Sequence, residues 1–203
     1  MKWNELRRIA EKKGWYLWRT GGNHDLYRYP GKGEVLEIER HGSQEIRPGL
    51  YYKLKKQKKK KKKKGNNSDM KKRTALIEKG KDGTFGIFTP DIESTIIGEG
   101  NTVAEAKADF ENSVREIIRF CEEDGVPVPD DLKNTTFVYK YDMPSFLNYY
   151  DYLNMTKLAN MSGINPSLMR QYKRGQYISE KQVSKIQTAI HKIGKELLAV
   201  RLI

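Results

Sequence analysis

A single cysteine, Cys121, stands in 203 residues, so no disulfide can form within the chain. A core built without cross-links suits a reducing compartment. Only three histidines are present, His24, His41 and His191, and no Cys/His cluster suggests a zinc site. The acidic residues of the middle of the chain show no matched spacing for a metal pair, and no cofactor is expected. No apolar run approaches the ~20 residues of a membrane span. The opening MKWNELRRIAEKKGW is charged throughout, unlike a signal peptide. These absences set the expectation of a cytoplasmic protein with no membrane partner.

Positive charge is what the chain has in excess. Lys and Arg number 39 against 26 Asp and Glu, a formal net charge of +13, which favours a polyanionic partner. The charge is unevenly placed. Residues 1–57 hold 13 basic and 7 acidic side chains, net +6, and residues 58–69 hold 7 lysines and one aspartate, also +6. Residues 70–141 hold 10 basic and 14 acidic, net −4, and residues 142–203 hold 9 basic and 4 acidic, net +5. An acidic block between two basic ones can compete with nucleic acid for a basic surface.

Seven consecutive lysines, Lys58 to Lys64, followed by Gly65-Asn66-Asn67-Ser68-Asp69, mark a linker, because like charges repel and nothing here can be buried. A lysine run also binds nucleic acid nonspecifically or addresses a nucleus, but the flanks here read as domain ends. Met70-Lys71-Lys72-Arg73 resembles a fresh start, as though two reading frames had been joined. Twelve linker residues reach at most roughly 40 Å at ~3.3–3.6 Å each, comparable to a small domain's width. Contact between the flanking parts is therefore open both within one chain and between chains of a dimer.

Hydrophobic periodicity divides what remains. Trp3, Leu6, Ile9 and Ala10 predict a helix over 3–13 closed by Gly14. Aromatic and branched runs at 15–19, 24–29 and 34–40 predict three antiparallel strands, and Leu50, Tyr51 and Leu54 a last helix with Pro48 near its start. The order is α-β-β-β-α. Strands are predicted at 71–79, 84–89 and 94–97, with Asp82-Gly83 as a hairpin turn. Thr102 to Glu105 forms a capping box. The helix it opens carries Val103, Ala106, Phe110, Val114, Ile117 and Cys121 on one stripe, which makes Cys121 a buried hydrophobe rather than a nucleophile. Residues 135–141 are a further strand.

Beyond residue 142 the pattern is all helical. One helix runs from Pro144 to about Leu153 and a second from Thr156 to Met161, ended by Gly163. A third is capped by Asn165 with Pro166 at its first position, and a fourth is marked by Val183, Ile186, Ile190, Ile193 and Leu197. The spacing is that of a helix-turn-helix with Asn165 to Arg174 as recognition helix. Ser167, Arg170 and Gln171 are placed for base edges, Lys173 and Arg174 for phosphates, and Asn165 for the backbone. An ordinary helical bundle with a solvated basic face is the alternative. Leu197 to Ile203 alternates weakly, as a dimerising strand would, and His191 is expected at a surface.

Gly21-Gly22-Asn23-His24 sits at a strand-to-strand turn, where two glycines let the backbone approach something closely. A histidine there, among Arg19, Arg28 and Lys32, can do acid–base work on a phosphodiester: the base activates a 2′-hydroxyl, and cationic side chains steady the phosphate. A solvated turn histidine is the plain alternative. His41, ending the third strand, is open between phosphate binding and packing.

Residues 1–57 resemble the HicA toxin family along their whole length. The resemblance rests on the helix–Gly-Trp opening, Gly-Gly-Asn-His-Asp-Leu-Tyr-Arg-Tyr-Pro at 21–30, His41-Gly42, Ile46, Pro48-Gly49-Leu50 and the Lys-Leu-Lys-Lys-Gln ending. It implies a fold like a double-stranded-RNA-binding domain and metal-independent mRNA cleavage by one histidine, here His24. Asn23 stands where many members have Ser. Residues 70–141 resemble the N-terminal domain of HicB antitoxins, through Lys81-Asp82-Gly83-Thr84-Phe85, Gly100-Asn101-Thr102, Glu105-Ala106 and Asp109-Phe110. That implies a partial RNase H-like fold acting as inhibitor. The helical part resembles the phage-repressor-like class of DNA-binding motif in some HicB proteins.

The expectation is therefore an α+β chain of four parts: a HicA-like domain (1–57), a linker (58–69), a HicB-like inhibitor (70–141) and a helix-turn-helix domain (142–203). Its expected partners are mRNA, operator DNA, its own toxin–antitoxin contact and a second copy in a homodimer or higher oligomer. The alternatives are a DNA-binding repressor with an inert, RNA-binding toxin half, and an RNA-binding scaffold without catalysis.

Overall fold

Trp3, Leu6 and Ala10 return to one buried face of the first helix, α1 (Trp3–Lys12), and Gly14, at φ +90°, turns the chain out of it. Strands β1 (Tyr16–Thr20), β2 (His24–Arg28) and β3 (Val35–Glu39) form an antiparallel sheet in chain order, and α2 (Pro48–Lys56) follows. The structure, a computed structural model, describes residues 1–56 and 70–202. The linker expected at 58–69 lies outside the described residues. Each predicted strand falls within one residue of an observed one, and the order is the α-β-β-β-α expected. The loop carrying His41 and Gly42 packs on the start of α1, where Asn4 N donates to Gly42 O at 3.0 Å.

The next segment forms β4 (Lys71–Lys79), β5 (Phe85–Phe88), β6 (Ile97–Gly100), α3 (Val103–Glu123) and β7 (Thr135–Tyr141), with sheet order β6-β5-β4-β7. Asp82-Gly83 makes the expected turn, with Gly83 at φ +86°. The third strand starts at Ile97, not at 94, and this corrects the expectation. Residues 94–96 serve β3 instead. Thr95 N donates to Val35 O at 2.7 Å, Glu37 N donates to Thr95 O at 2.9 Å, and Leu36 bridges Thr95 in parallel. The two sheets thus meet along the edge of β3. Phe88 and Ile97 enter the same apolar core as Trp3, Leu6, Tyr27, Ile38, Ile46 and Leu50. The chain divides into two compact units, Met1–Lys140 and Tyr141–Ile203, so both sheets belong to the first.

α3 buries Val103, Ala106, Phe110, Ile117 and Cys121 of the predicted stripe, with Ser113 and Phe120 added, while Val114, expected on it, is only half-buried. It lies tightly on β6, because a Cβ on Gly98 would meet Ala106 O and Phe110 N at 2.5 Å. Thr102 Oγ1 accepts from Glu105 N at 3.1 Å, while Glu105 Oε2 accepts from Asn101 N at 2.8 Å, one residue before the cap. Thr102→Ala should lower the stability of the first unit by about 1 kcal/mol. A drop in the urea midpoint at unchanged m-value checks it.

The second unit holds α4 (Met143–Tyr149), α5 (Met155–Met161), α6 (Pro166–Lys173) and α7 (Glu180–Ala199). Asp142, Asn154, Asn165 and Ser179 cap them by side-chain acceptance of backbone N–H groups. Leu147, Leu158, Ala159, Ile164, Met169, Tyr172, Ile186 and Ala189 form the core. α4 ends at Tyr149, short of the Leu153 expected, because the chain turns there to place Asn154 as the cap of α5. Among the described residues of the strand expected over Leu197 to Ile203, none is in a strand. α7 runs through Ala199, where good helix formers prevail over a weak alternation, and leaves Leu197 and Leu198 exposed. No helix among the described residues is long and apolar enough to cross a membrane.

Candidate active site

His24 opens β2 directly after the Gly21-Gly22-Asn23 turn and is 2% exposed. It is covered by α3. Its Nδ1 lies 3.0 Å from Ser113 Oγ, and its Nε2 lies 3.1 Å from Glu39 Oε2 and 3.5 Å from Asp109 Oδ2. Nε2 aims squarely at neither carboxylate and makes no aligned hydrogen bond, so these two contacts are charge pairs. Burial alone would lower the His24 pKa, but contact with Glu39 and the charges of Glu37, Asp109 and Glu39 raise it to about 9. The imidazole is held as an imidazolium at neutral pH.

The turn beside it is taken by a second carboxylate. Gly22 N donates to Glu116 Oε1 at 3.1 Å and Oε2 at 2.9 Å. A Cβ on Gly21 would meet Glu116 Oε2 at 2.5 Å, and one on Gly22 would meet Oε1 at 3.2 Å. Neither glycine has a positive φ, so both serve close approach rather than an unusual backbone. Asn23 Nδ2 donates to Asp109 Oδ1. Asp109, Ser113 and Glu116, at spacings of four and three, form one polar stripe on α3 that lies along the turn.

Arginines frame the turn. Arg19 pairs with Asp124 just past the end of α3 and lies 3.7 Å from Glu123, and it holds the Asp124 carboxyl below its usual range. Trp18 Nε1 donates to the same carboxylate at 2.8 Å. Arg28, 8% exposed, stacks on the Trp18 ring at 3.9 Å and donates to Cys121 Sγ at 3.2 Å. Cys121 is fully buried, and burial pushes its thiol pKa up, which suits an unreactive side chain. Arg40 donates to the carbonyls of Gly21 and Gly22 and, through Nε, to Asp25 Oδ1 at 3.2 Å.

Of the predicted RNA-contact set, Gly22 and Asn23 adjoin His24 in the turn, while Arg19 and Arg28 reach the C-terminal end of α3, at Asp124 and Cys121. Lys32 does not join them. It lies in the β2–β3 connection beyond the far end of β2, about 13 Å of strand from His24, and pairs with Glu34 at 3.2 Å. Nearness in the sequence misleads here, because a strand carries its two ends apart. His41 is exposed, and its backbone N–H, not its ring, donates to Glu39 Oε1 at 3.4 Å. Glu39, Arg40, Asp109, Ser113 and Glu116 were missed. The signal for the last three was the polar stripe beside the apolar one on α3. Among the described residues, no group of three or more His, Cys, Asp or Glu is arranged to hold a metal ion.

In the second unit α5, a four-residue turn with Gly163 at φ +62°, and α6 follow one another. Met169 and Tyr172 face the core. Asn165, Ser167, Arg170 and Arg174 are exposed, and Gln171 and Lys173 are half-buried. Ser167, Arg170, Gln171 and Arg174 share a stripe at spacings of three, four and seven from the first, and Lys173 lies off it. Asn165 Oδ1 accepts from Ser167 N at 2.8 Å, so that side chain is occupied as a cap. His191 is exposed on α7.

No curated protein and no solved structure matches the chain. Residues 3–59 match the family model described as HicA toxin of bacterial toxin-antitoxin, and over that segment the chain is similar to such a toxin.

Proposed function

We propose that the chain is a fused toxin–antitoxin: an endoribonuclease that cleaves mRNA through His24, silenced by its own middle segment, with a C-terminal unit that binds operator DNA. In this reading residues 1–57 are the toxin, 58–69 a linker, 70–141 a HicB-like inhibitor of partial RNase H-like fold and 142–203 a helix-turn-helix domain. The observation that carries it is the polar stripe of α3 on the His24 turn. An RNA strand needs three things at such a site: a hydroxyl at the base, a phosphate at the turn amides, and cations around them. Ser113 Oγ stands where the 2′-hydroxyl would, at Nδ1. The Glu116 carboxylate stands where a phosphate would, on the Gly22 N–H. Asp124 occupies Arg19. The inhibitor presents the substrate's own chemistry in an uncleavable form, and its net −4 charge against +6 on the toxin half favours the match.

The test is RNA cleavage by the full chain before and after α3 is driven from the turn, with His24→Ala as control. Absence of cleavage from a folded, uncovered chain leaves the other reading, a DNA-binding repressor with an inert toxin half that only binds RNA.

Operator binding is supported by the stripe on α6. Arg170→Ala should weaken binding to DNA upstream of the gene by about 1–3 kcal/mol, roughly 5-fold or more, and relax base preference. Arg174→Ala should weaken all sequences alike and reduce the salt slope by about one. Fluorescence anisotropy on matched and scrambled duplexes across a salt series separates the two. Equal losses from both variants on both duplexes would remove base reading from α6.

A further inference from the structure

We infer that Glu39 is the positioning residue of His24, holding the imidazole by its Nε2 edge so that Nδ1 is turned to the ribose 2′-hydroxyl; this rests on the ribonuclease reading. The two residues are direct partners across β2 and β3. Glu39 is 4% exposed, and its carboxylate is fixed at both ends. Oε1 accepts from Arg40 N at 3.0 Å and His41 N at 3.4 Å, and Oε2 faces His24 Nε2 at 3.1 Å. Burial pushes the Glu39 pKa up, but His24 and the two amides pull it below its usual range, so it is a carboxylate at neutral pH. Every one of these contacts lies within residues 24–41. Asp109, the other carboxylate at Nε2, belongs to α3 and leaves with it. At Nδ1 the partner is Ser113 of α3, so the departure of α3 uncovers Nδ1 while Nε2 keeps Glu39.

The proton bookkeeping then closes with one histidine. Once α3 and the Asp109 charge have left, the imidazole gives up its Nδ1 proton to solvent, and Nδ1 of the neutral ring takes the 2′-hydroxyl proton as O2′ forms its bond to phosphorus. The P–O5′ bond breaks with its electron pair going to O5′, and the imidazolium returns the proton there. The products are a 2′,3′-cyclic phosphate and a 5′-hydroxyl. Glu39 stays ionised throughout, fixes the ring and stabilises the transient imidazolium, as a carboxylate does for a catalytic histidine elsewhere. The charged groups facing His24 are Glu39 and Glu37 of β3 and Asp109 of α3, and Glu99 of β6 feels its charge.

The experiment uses the full chain with isotope-labelled histidine and follows the three imidazoles by NMR in wild type, Glu39→Gln and Glu39→Asp. Glu39→Gln should lower the His24 titration by about one unit or more, with Glu39→Asp between. In a chain whose α3 is charge-reversed at Asp109 and Glu116, Glu39→Gln should lower kcat by ~10-fold or more with KM within about 2-fold, and move the acid limb of the pH–rate profile to lower pH. An unmoved His24 titration, or an active parent whose kcat and acid limb ignore Glu39→Gln, overturns the inference, because a merely structural Glu39 would change stability alone. A charge-reversed parent that cleaves nothing overturns the ribonuclease reading instead, and the NMR arm then decides whether Glu39 holds His24.

Discussion

Full-length chain carrying Asp109→Lys and Glu116→Lys together should cleave RNA at least ~100-fold faster than the unaltered chain. Each substituted carboxylate makes a charge-assisted contact with the Gly22-Asn23 turn, worth about 1.5–3 kcal/mol when the other partner is left behind. Two of them come to roughly 3–6 kcal/mol, which shifts a covered-to-open equilibrium by ~100-fold or more. The lysines then face a turn already edged by Arg40, so repulsion adds to the loss. The positions tolerate the change better than the apolar stripe would, since the side chains of Asp109 and Glu116 are 9% and 16% exposed at the border of the buried face. One cost is foreseen: Asp109 Oδ2 also accepts from Glu99 N at 2.8 Å, so some local stability is lost. Ser113→Ala alone should release less, as it removes a single hydrogen bond and introduces no opposing charge. Adding His24→Ala to the charge-reversed chain should return cleavage to background, a loss of ~100-fold or more, since acid–base work of this kind contributes 10²–10⁴. Cleavage that survives His24→Ala would assign the chemistry to other residues.

The turn and its histidine were legible because their signal is local. Glycine pairs, a flanking strand alternation and a histidine at the strand start lie within four residues, and no distant contact is needed to read them. The same holds for the caps at Thr102 and Asn165 and for the apolar stripe of α3. Glu37 and Glu39 were not legible for the opposite reason. In Val35-Leu36-Glu37-Ile38-Glu39 the acids alternate with Leu36 and Ile38, the pattern of a strand with one solvated face. Both are buried, because α3 and residues 94–97 cover that face from 60 or so positions away in the chain. The misplaced start of β6 has the same origin: Thr95 pairs with β3 across the two halves, and periodicity carries no record of which edge a strand will meet. The dependence of the site on its cover is thus visible in what local pattern got wrong.

That buried acid sets an unusual pH dependence. Stability of the first unit should fall by about 3 kcal/mol as pH rises from 4.5 to 7. Burial, helped by Asp109 and Glu116, pushes Glu37 from the ordinary 4.5 to about 7, against the opposing pull of His24 and the Ile97 amide. Its Oε2 accepts from Ile97 N at 2.7 Å, and its Oε1 has no partner, the arrangement of a protonated carboxyl. Between pH 4.5 and 7 the folded state keeps a proton that the unfolded chain has released, so raising pH favours unfolding. The 2.5-unit difference corresponds to about 3 kcal/mol. Glu39, held below its usual value, acts the other way and loses its contribution as pH falls below 4.5, which places the maximum near that pH. His24, raised from 6.5 to about 9, extends the loss through that window. Lys53 opposes it: burial lowers it from 10.5 to about 7, so from pH 7 to 10.5 the unfolded chain holds the extra proton and stability rises with pH. His24 and Lys53 therefore offset one another between pH 7 and 9, and the profile should flatten there. Trp3, Trp15 and Trp18 all lie in the first unit, so tryptophan fluorescence in urea reports on it directly. Glu37→Gln should abolish the fall between pH 4.5 and 6.5, and Lys53→Met should turn the plateau into a continued fall to pH 9. A wild-type stability that climbs from pH 4.5 to 7 would mean Glu37 is ionised in the fold, and that the edge of β3 is open to water rather than sealed by the segment at 94–97.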